Sequence, residues 1–388
     1  MTIYFVAGEA SADNHGAALM RSLRELGVEL HFIGRGGPQM RDVAGDQFKN
    51  WIGDAAVLGL WEVIRKYGYF REQFHQTLNE IQENKPDAVV LIDYPGFNLR
   101  LARALRKESP QQKIIYYISP QVWAWNRGRI KKMSRFIDLV LCIFPFEVDL
   151  YNQSGLRALF VGHPMIERLQ ARKIDTERDR NLIGLFPGSR MREVRKIFPV
   201  MLQTVHQLQR HNQNLRFEVA AASEQLAAEM RSAAAELNRP LNPSAQDRHL
   251  IEIKVGATAA IMQRAFVGMV ASGSATLEAA YFRLPFVLIY KVAWPTYLAG
   301  RAVVNVVYLG MPNVLANREV IPEFIQHRAK PNVIVKAVRQ LLEHADARDR
   351  MISAFDEIVS ELGEGGASKK AARVILEEIS GKVETKRT

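Results

Sequence analysis

The sequence predicts an α/β protein built from two doubly wound parallel sheets. Short, wholly apolar runs alternate with amphipathic segments, which is the pattern of parallel strands covered by helices on both faces. The alternation stops once, at residues 170–181, where almost no apolar residue occurs, and then resumes. At 388 residues the chain is also too long for one ordinary hydrophobic core. Two domains joined by a polar linker follow from these observations.

The first half contains most of the predicted strands. They cover residues 3–7, 31–33, 88–92, 113–118, 139–144 and 158–161, with predicted helices at 14–26, 70–83 and 99–107. The glycine-rich stretch Gly34-Arg35-Gly36-Gly37 lacks the spacing of a dinucleotide-binding turn, so we expect a tight turn there that borders a cleft.

The second half repeats the alternation. Its predicted strands cover residues 182–186, 216–221, 266–270 and 286–290, and its predicted helices cover 194–210, 225–236, 275–282 and 369–379. Glu364-Gly365-Gly366 predicts a break before the last helix, and residues 381–388 read as a disordered tail. The predicted domains are therefore 1–170, a linker at 171–181, 182–362, and a C-terminal helix and tail at 363–388 that packs back or crosses to a partner.

Composition narrows the chemistry. The single cysteine, Cys142, lies in an apolar run, which predicts a buried, inert thiol and fits a reducing, cytoplasmic compartment. No two of the nine histidines are four residues apart, and no Asp-x-Asp pair occurs. We therefore expect no metal and no cofactor.

The charge points to an anionic partner. The net charge of +11 fits a nucleic acid, an anionic membrane or a phosphorylated substrate, and composition alone does not choose among these. No N-terminal stretch has the form of a targeting signal, and no uncharged apolar stretch reaches the roughly 18–20 residues that span a bilayer. We expect a protein that does not cross a membrane.

A turn after the strand 182–186 is the first candidate anion site, because ligands of open parallel sheets bind beyond the carboxyl ends of strands. In Pro187-Gly188-Ser189-Arg190, Gly188 permits a close backbone approach, Ser189 can cap the following helix, and Arg190 adds a bidentate donor. A capped helix with a solvated arginine explains the same residues equally well.

A second such turn follows the strand 266–270. Ser272, Gly273 and Ser274 are small enough for a diphosphate to approach a helix N-terminus, and Glu278 one turn later can accept from ribose hydroxyls. Helix capping by Ser274 is the alternative. Two turns of this kind in one domain favour the C-terminal half as the nucleotide-binding half.

Asp93 is the candidate base of the N-terminal half. It ends a fully apolar strand, where a carboxylate is costly unless it binds backbone donors or performs chemistry. Glu9, Ser11 and Asp13 follow the first strand, on the same expected edge. The alternative is that Asp93 only fixes the turn at Pro95-Gly96.

Aromatic and basic residues recur together in three places. Leu60, Ile64 and Tyr67 follow helical spacing in one stripe, with Trp61 and Arg65 beside it. The other two patches lie around Trp123 and Trp294. Such patches suit an anionic membrane surface, whereas a core-facing helix gives the same periodicity. Nucleic acid is the competing partner, but bulky aliphatic residues interleave with the basic ones and no nucleic-acid-binding module is present. We therefore expect a membrane surface and no nucleic acid.

Several motifs together resemble the signatures of the lipid-A-disaccharide synthases, in that family's order. They are Ala7-Gly8-Glu9-Ala10-Ser11-Ala12-Asp13, Ile92-Asp93-Tyr94-Pro95-Gly96-Phe97-Asn98, Ser119-Pro120-Gln121-Val122-Trp123-Ala124-Trp125, Phe144-Pro145-Phe146-Glu147, Val161-Gly162-His163-Pro164, Pro187-Gly188-Ser189-Arg190, Ser272-Gly273-Ser274-Ala275-Thr276-Leu277-Glu278 and Met311-Pro312-Asn313-Val314-Leu315-Ala316. The first motif departs at Ala12, where the family usually has glycine.

The resemblance implies a GT-B fold, with two domains facing across a cleft, and an inverting glycosyltransferase. Its donor would be UDP-2,3-diacylglucosamine and its acceptor 2,3-diacylglucosamine 1-phosphate, joined by a β-1,6 linkage with release of UDP. The resemblance makes Asp93 the base for the acceptor 6-hydroxyl, gives Arg190 the diphosphate, and places Asn313 in the donor pocket. Glu278 falls where the fold commonly binds ribose. The remaining matches, which would line the acceptor side, are Glu9, Ser11, Asn98, Gln121 and Trp123.

The resemblance also implies peripheral attachment to the inner membrane and a homodimer formed through the C-terminal segment. Two other functions stay open from the sequence. One is another UDP-sugar enzyme of the same fold, such as a UDP-N-acetylglucosamine epimerase or the lipid-II-forming transferase. The other is a membrane-surface binding protein without catalysis.

Overall fold

The structure, a computed structural model, describes residues 1–55, 67–121, 128–237, 251–294, 297 and 307–381. The chain forms two compact units. The N-terminal unit comprises Met1–Glu167 and the segment that begins at Leu362, and the C-terminal unit is Arg168–Glu361. Each unit is built on one parallel sheet, as the apolar strands predict.

The N-terminal unit has seven strands in its described sheet, in the order β3-β2-β1-β4-β5-β6-β7. The strands are β1 (Thr2–Ala7), β2 (His31–Gly36), β3 (Phe48–Asn50), β4 (Ala88–Ile92), β5 (Ile114–Tyr117), β6 (Leu139–Cys142) and β7 (Ala158–Phe160). The helices of the first part of the chain are α1 (Ala10–Glu25), α2 (Pro38–Ala44), α3 (Ile52–Ala55), α4 (Tyr67–Asn84), α5 (Pro95–Glu108), α6 (Gly128–Met133), α7 (Pro145–Gln153) and α8 (Met165–Gln170).

The C-terminal unit has six strands in its described sheet, in the order β10-β9-β8-β11-β12-β13. They are β8 (Asp179–Phe186), β9 (Arg216–Ala221), β10 (Ile251–Val255), β11 (Ala265–Ala271), β12 (Phe286–Tyr290) and β13 (Glu323–Ile325). The helices are α9 (Met191–His211), α10 (Glu224–Leu237), α11 (Thr258–Arg264), α12 (Ser274–Tyr281), α13 (Met311–Ala316), α14 (Pro331–Glu343) and α15 (Ala345–Glu361), with a 3₁₀ turn at Gln326–Arg328.

In each sheet the strand order reverses direction at the first strand of the unit, which is β1 in one sheet and β8 in the other. In the N-terminal unit β1 pairs with both β2 and β4, and in the C-terminal unit β8 pairs with both β9 and β11. The connections leave toward opposite sides of the sheet at such a point, which opens a crevice at the carboxyl ends of the two strands. The loops after β1, β4, β8 and β11 are therefore where a ligand site is expected.

The prediction of a tight turn at Gly34–Gly37 is wrong. The residues Gly34, Arg35 and Gly36 continue strand β2, and Arg35 is almost fully buried, with 1% of its surface exposed. Its guanidinium binds both carboxylate oxygens of Glu80, at 2.6 and 3.3 Å. Burial alone would raise the pKa of Glu80, but hydrogen bonds from Lys49, Tyr4 and Arg35 hold that pKa below its ordinary value. A buried arginine needs a charged partner, and Glu80 of the same unit supplies it. We therefore assign this ion pair a structural role.

The last helix, α16 (Ala367–Ser380), belongs to the N-terminal unit and packs against α1. Its Glu378 is buried and receives an ion pair from Lys113 at 2.9 Å and a second from Arg157 at 2.5 Å. Within this chain, therefore, the segment predicted to pack back or cross to a partner does pack back. A homodimer formed through it stays a prediction. At the other boundary, β8 begins at Asp179, inside the stretch that we predicted to be a linker.

Cys142 is buried at the end of β6, as the sequence predicts, and burial raises the pKa of its thiol. Among the described residues, no helix combines the length and the apolar character needed to cross a bilayer. These findings leave the loops at the carboxyl ends of the strands as the place to look for chemistry.

Candidate active site

Asp93 follows β4 at the point where the N-terminal sheet reverses its order. Asp93 and Tyr94 both have positive φ, 47° and 51°, in the left-handed region that non-glycine residues rarely adopt. Helix α5 begins directly afterwards, at Pro95. Two such residues in succession cost on the order of 1–3 kcal/mol each, and they persist only where the surroundings hold them in place.

Two side chains hold the backbone of Asp93. The amide of Asn98 donates to the carbonyl oxygens of Asp93 and Ile92, at 2.8 and 3.2 Å. The hydroxyl of Tyr116 donates to the same carbonyl of Asp93. Asn98 is fully buried, so its amide positions Asp93 from beneath. The structure shows a buried amide that holds the backbone of Asp93, and a contact of Asn98 with the acceptor stays a prediction.

The carboxyl group of Asp93 has a raised pKa. Burial, as the larger cause, and the negative charge of Glu9 together raise this pKa to about 6, and a hydrogen bond from the backbone of Tyr94 opposes the rise. Glu9 itself is exposed at the start of α1. The structure therefore brings Glu9 and Asp93 together, as the sequence predicts for the ends of β1 and β4.

An aromatic cluster that sequence reasoning did not assign surrounds this turn. The ring of Tyr94 covers Gly8 so closely that a Cβ on that glycine would lie 2.4 Å from it. The indole of Trp51 donates to the carbonyl of Ala7 at 2.6 Å and packs on Phe97 at 5.0 Å. The signal in the sequence is an aromatic residue close behind each strand, since Trp51 directly follows β3 and Tyr94 is the second residue after β4.

Other residues predicted near this edge have different surroundings. Asp13 is buried, and its carboxylate accepts from the backbone N–H groups of Gly37, Gln39 and Met40 at 2.9 to 3.0 Å. It thereby caps α2, which is a structural role. Ser11 and Gln121 are exposed, and Trp123 lies outside the described residues.

In the C-terminal unit, the loop after β8 has a backbone conformation that favours glycine. Gly188 has a φ of 109°, and a Cβ there would meet Glu193 Oε2 at 2.9 Å. Arg190 donates to Glu193 Oε1 at 3.0 Å, and its side chain is 67% exposed. Ser189 is exposed beside it, at the N-terminus of the long helix α9. Glu193, in the first turn of α9, is a further residue at this loop that the sequence analysis did not assign.

The loop after β11 lies beside it, since β8 and β11 are neighbours and Phe186 pairs with Val270. Gly273 has a φ of 139°, and Gly273 and Ser274 are both exposed at the start of α12. The hydroxyl of Ser272 donates to the carbonyl of Leu309 at 3.4 Å. The two predicted anion-binding turns therefore occupy one edge of one sheet, and each precedes the N-terminus of a helix.

The side chain of Asn313 forms its hydrogen bonds with groups of the protein itself. Its amide nitrogen donates to Ile321 O and to Glu323 Oε1, and its amide oxygen accepts from the N–H groups of Val320 and Ile321, at 2.7 to 2.9 Å. An asparagine side chain has two donors and one acceptor oxygen, so its bonding capacity is used. The fully buried amide supports the loop before α13, and the place of Asn313 in the donor pocket stays a prediction.

Glu278 lies in the second turn of α12 and is nearly buried. Its Oε1 accepts from Arg168 at 2.8 Å. Among the described residues this ion pair engages one of the two carboxylate oxygens, and ribose binding by Glu278 stays a prediction.

The residues predicted to touch a membrane fall mostly outside the described part of the chain. Leu60, Trp61, Ile64 and Arg65 lie there, and Tyr67 is placed only as the first residue of α4. Trp294 is 56% exposed and packs edge-on against Tyr297.

Residues 3–377 match the family model described as lipid-A-disaccharide synthetase. The lipid-A-disaccharide synthase of Geobacter sulfurreducens is 35% identical over 389 residues, with 98% of each chain covered. That of Coxiella burnetii is 32% identical, covering 96% of this chain and 97% of the relative.

Solved structures share the architecture at much lower identity. The UDP-GlcNAc 2-epimerase of Neisseria meningitidis, bound to UDP-GlcNAc, superposes with a TM-score of 0.60 at 10% identity, covering 97% of this chain and 99% of that one. MurG of Acinetobacter baumannii gives 0.56 at 13% identity, with 97% and 99% covered. At these identities the likeness concerns the fold alone, and it confirms the predicted GT-B fold class.

Proposed function

The chain belongs to the lipid-A-disaccharide synthase family and is a glycosyltransferase of lipid A biosynthesis, and on that premise we propose its substrates and the roles of its residues. The donor is UDP-2,3-diacylglucosamine and the acceptor is 2,3-diacylglucosamine 1-phosphate. The products are a β-1,6-linked disaccharide and UDP, formed with inversion at the anomeric carbon.

Asp93 is the general base of the proposed reaction. The acceptor 6-hydroxyl oxygen attacks the anomeric carbon of the donor, its proton passes to the Asp93 carboxylate, and the bond from the anomeric carbon to the diphosphate oxygen breaks. A base is most effective when its pKa lies near the working pH, and burial with the charge of Glu9 places that of Asp93 at about 6. This tuned carboxyl group, on a backbone held in a rare conformation, is the observation that carries the proposal.

The C-terminal unit supplies the donor-binding groups of the proposal. The departing diphosphate gains negative charge, which the N-terminal N–H groups of α9 and α12 and the guanidinium of Arg190 stabilise. Gly188, Ser189, Ser272, Gly273 and Ser274 form the two turns that approach it. Glu278 binds the ribose through its second carboxylate oxygen. Arg190 leaves Glu193 for the diphosphate when the donor binds, and the exposure of its side chain supports such a movement.

On the acceptor side, Glu9 and Ser11 at the start of α1 and Gln121 and Trp123 after β5 complete the proposal. The protein attaches peripherally to the inner membrane, where both acylated substrates reside. Leu60, Trp61, Ile64, Arg65, Tyr67 and Trp294 are the proposed contacts with its anionic surface.

The decisive experiment measures UDP release from the diacylated donor, with and without the acylated 1-phosphate acceptor. Acceptor-dependent release, together with a disaccharide product, is the expected result. Release that is independent of the acceptor contradicts the proposed substrates. It would favour epimerase-like chemistry, in which UDP leaves without a second sugar.

A further inference from the structure

A groove runs between helices α5 and α6 on the N-terminal unit. Its volume is about 950 Å³, at the upper end of the range for small-molecule sites. It begins at Pro95 and Gly96, in the first turn of α5, and extends along that helix to Lys107. It does not include Asp93 or the glycine turns of the C-terminal unit, so it is separate from the candidate active site.

The floor of the groove is apolar. Leu99 and Ala104 of α5 lie opposite Met133 and Phe136, and all four pack on or belong to the hydrophobic core of this unit. The core beneath holds this floor in place. Contact between water and apolar surface is unfavourable, so an apolar ligand that displaces water from the floor is favoured.

The rim of the groove is basic. Seven lining residues are cationic, namely Arg100, Arg103, Arg106, Lys107, Arg129, Lys132 and Arg135, and no carboxylate lines the groove within the described part of the chain. Arg106 is engaged by Asp138 at 2.7 Å. Arg100, Arg103, Lys132 and Arg135 are exposed, and the structure gives them no ion pair with any described residue.

This arrangement differs from an ordinary solvated helix face. Arg100, Arg103 and Lys107 lie three and four residues apart, so they lie along one side of α5 and repel one another. A solvated face normally mixes charges of both signs. Repulsion of this kind is relieved when an anion neutralises the cations.

We propose that the groove docks an anionic phospholipid of the membrane, with the phosphate on the basic rim and part of an acyl chain on the apolar floor. The proposal rests on the proposed function, because it supplies the surface through which an enzyme with two acylated substrates contacts their membrane. The acceptor's single phosphate needs two or three donors, whereas the cations follow a helix about 20 Å long. An apolar floor also favours lipid over nucleic acid, which binds through phosphate contacts and base stacking.

The test measures partition of the full-length protein onto phosphatidylcholine vesicles with and without phosphatidylglycerol. The groove variant carries Arg100→Gln, Arg103→Gln, Lys132→Gln and Arg135→Gln. A matched control removes the same charges from exposed positions elsewhere, with Arg21→Gln, Arg210→Gln, Lys336→Gln and Arg350→Gln. Each basic residue near an anionic surface favours binding, so we expect the groove variant to lose at least about tenfold in partition and the control less than about threefold.

Two further measurements separate the alternatives. UDP release in neutral detergent micelles should be the same in the groove variant and the wild type, and thermal unfolding should show that both are folded. A groove variant that partitions like the control overturns the proposal. So does one that keeps vesicle binding but has a raised KM for the acceptor, because the groove then serves the acceptor phosphate. Preferential binding of a duplex oligonucleotide, lost in the groove variant, also overturns it.

The outcomes also distinguish this proposal from the proposed function. A wild type that does not bind phosphatidylglycerol vesicles contradicts the groove proposal and leaves the micellar reaction unaffected. A wild type that binds vesicles but releases no UDP with the acceptor contradicts the proposed substrates alone.

Discussion

The two strand-order reversals of this protein lie at equivalent places in their sheets and are built in opposite ways. In the N-terminal unit the loop after β4 places non-glycine residues, Asp93 and Tyr94, in the left-handed region, under aromatic rings and over buried hydrogen bonds. In the C-terminal unit the loops after β8 and β11 use Gly188 and Gly273 for the same region, and their polar side chains are exposed. One edge fixes a single carboxyl group, and the other exposes glycine-containing turns at the N-termini of two helices.

Each edge has the properties that its proposed task requires. A base needs a set pKa and a set position, and burial within a rigid frame supplies both. A diphosphate site needs accessible N–H groups, and glycines permit that close approach without strain. If this comparison is right, the two edges fail separately when they are mutated.

The largest expected effect is that of Asp93→Asn, which removes the base and preserves its shape. We expect turnover to fall by about two to four orders of magnitude. UDP affinity, measured by calorimetry, should change by less than about threefold, because the proposed donor-binding groups lie in the other unit. Near-normal turnover would remove Asp93 from the mechanism.

Arg190→Ala should lower turnover by about two orders of magnitude, through lost stabilisation of the departing diphosphate. Unlike Asp93→Asn, it should also weaken UDP binding measurably. Arg192→Ala is the matched control, since Arg192 is exposed in the first turn of the same helix. Equal effects of the two arginine variants would mean that only the general positive charge of this loop matters.

Gly188→Ala tests the use of glycine at the open edge. The alanine would have to adopt a φ of 109°, and its Cβ would lie 2.9 Å from Glu193 Oε2. We expect a loss of about 1–3 kcal/mol in the free energy of unfolding and about tenfold weaker UDP binding. Gly96→Ala is the control at the other edge, because its Cβ would meet no atom within 4 Å. Unchanged UDP affinity in Gly188→Ala would separate this turn from the donor.

The smallest effect concerns pH. Asp93 acts in its deprotonated form, so kcat/KM should fall as the pH drops through about 6. Glu9→Gln removes a negative charge that raises this pKa, so the acid limb should move to lower pH by a few tenths of a unit, as is typical for one partly solvated charge. Glu29→Gln, at an exposed carboxylate before β2, should leave the limb in place. A limb that does not move in Glu9→Gln would mean that burial alone sets the pKa.

The sequence predicts the sheets well, because buried parallel strands consist of almost uninterrupted apolar residues. It misses β10, an edge strand whose residues alternate between apolar and charged, and it misplaces Arg35, because the partner Glu80 that permits its burial lies 45 residues away. Prediction from local pattern fails where a distant contact decides the conformation.

The site divides in the same way. Gly188 and Gly273 could be placed in turns because a positive φ favours glycine, so that residue type carries the information. No residue type indicates that Tyr94 adopts the same region, or that the amides of Asn98 and Asn313 bind groups within the protein. Those contacts depend on the folded chain, and they give a structural role to two residues that the sequence predicts as ligand contacts.

The position of α16 has a consequence for how the molecule is made. A ribosome releases β1 to β7 long before it reaches Glu378, the buried partner of Lys113 and Arg157. The C-terminal unit can therefore complete its sheet during translation while the N-terminal unit still lacks a helix. The part of the protein that is synthesised first is the last to be finished.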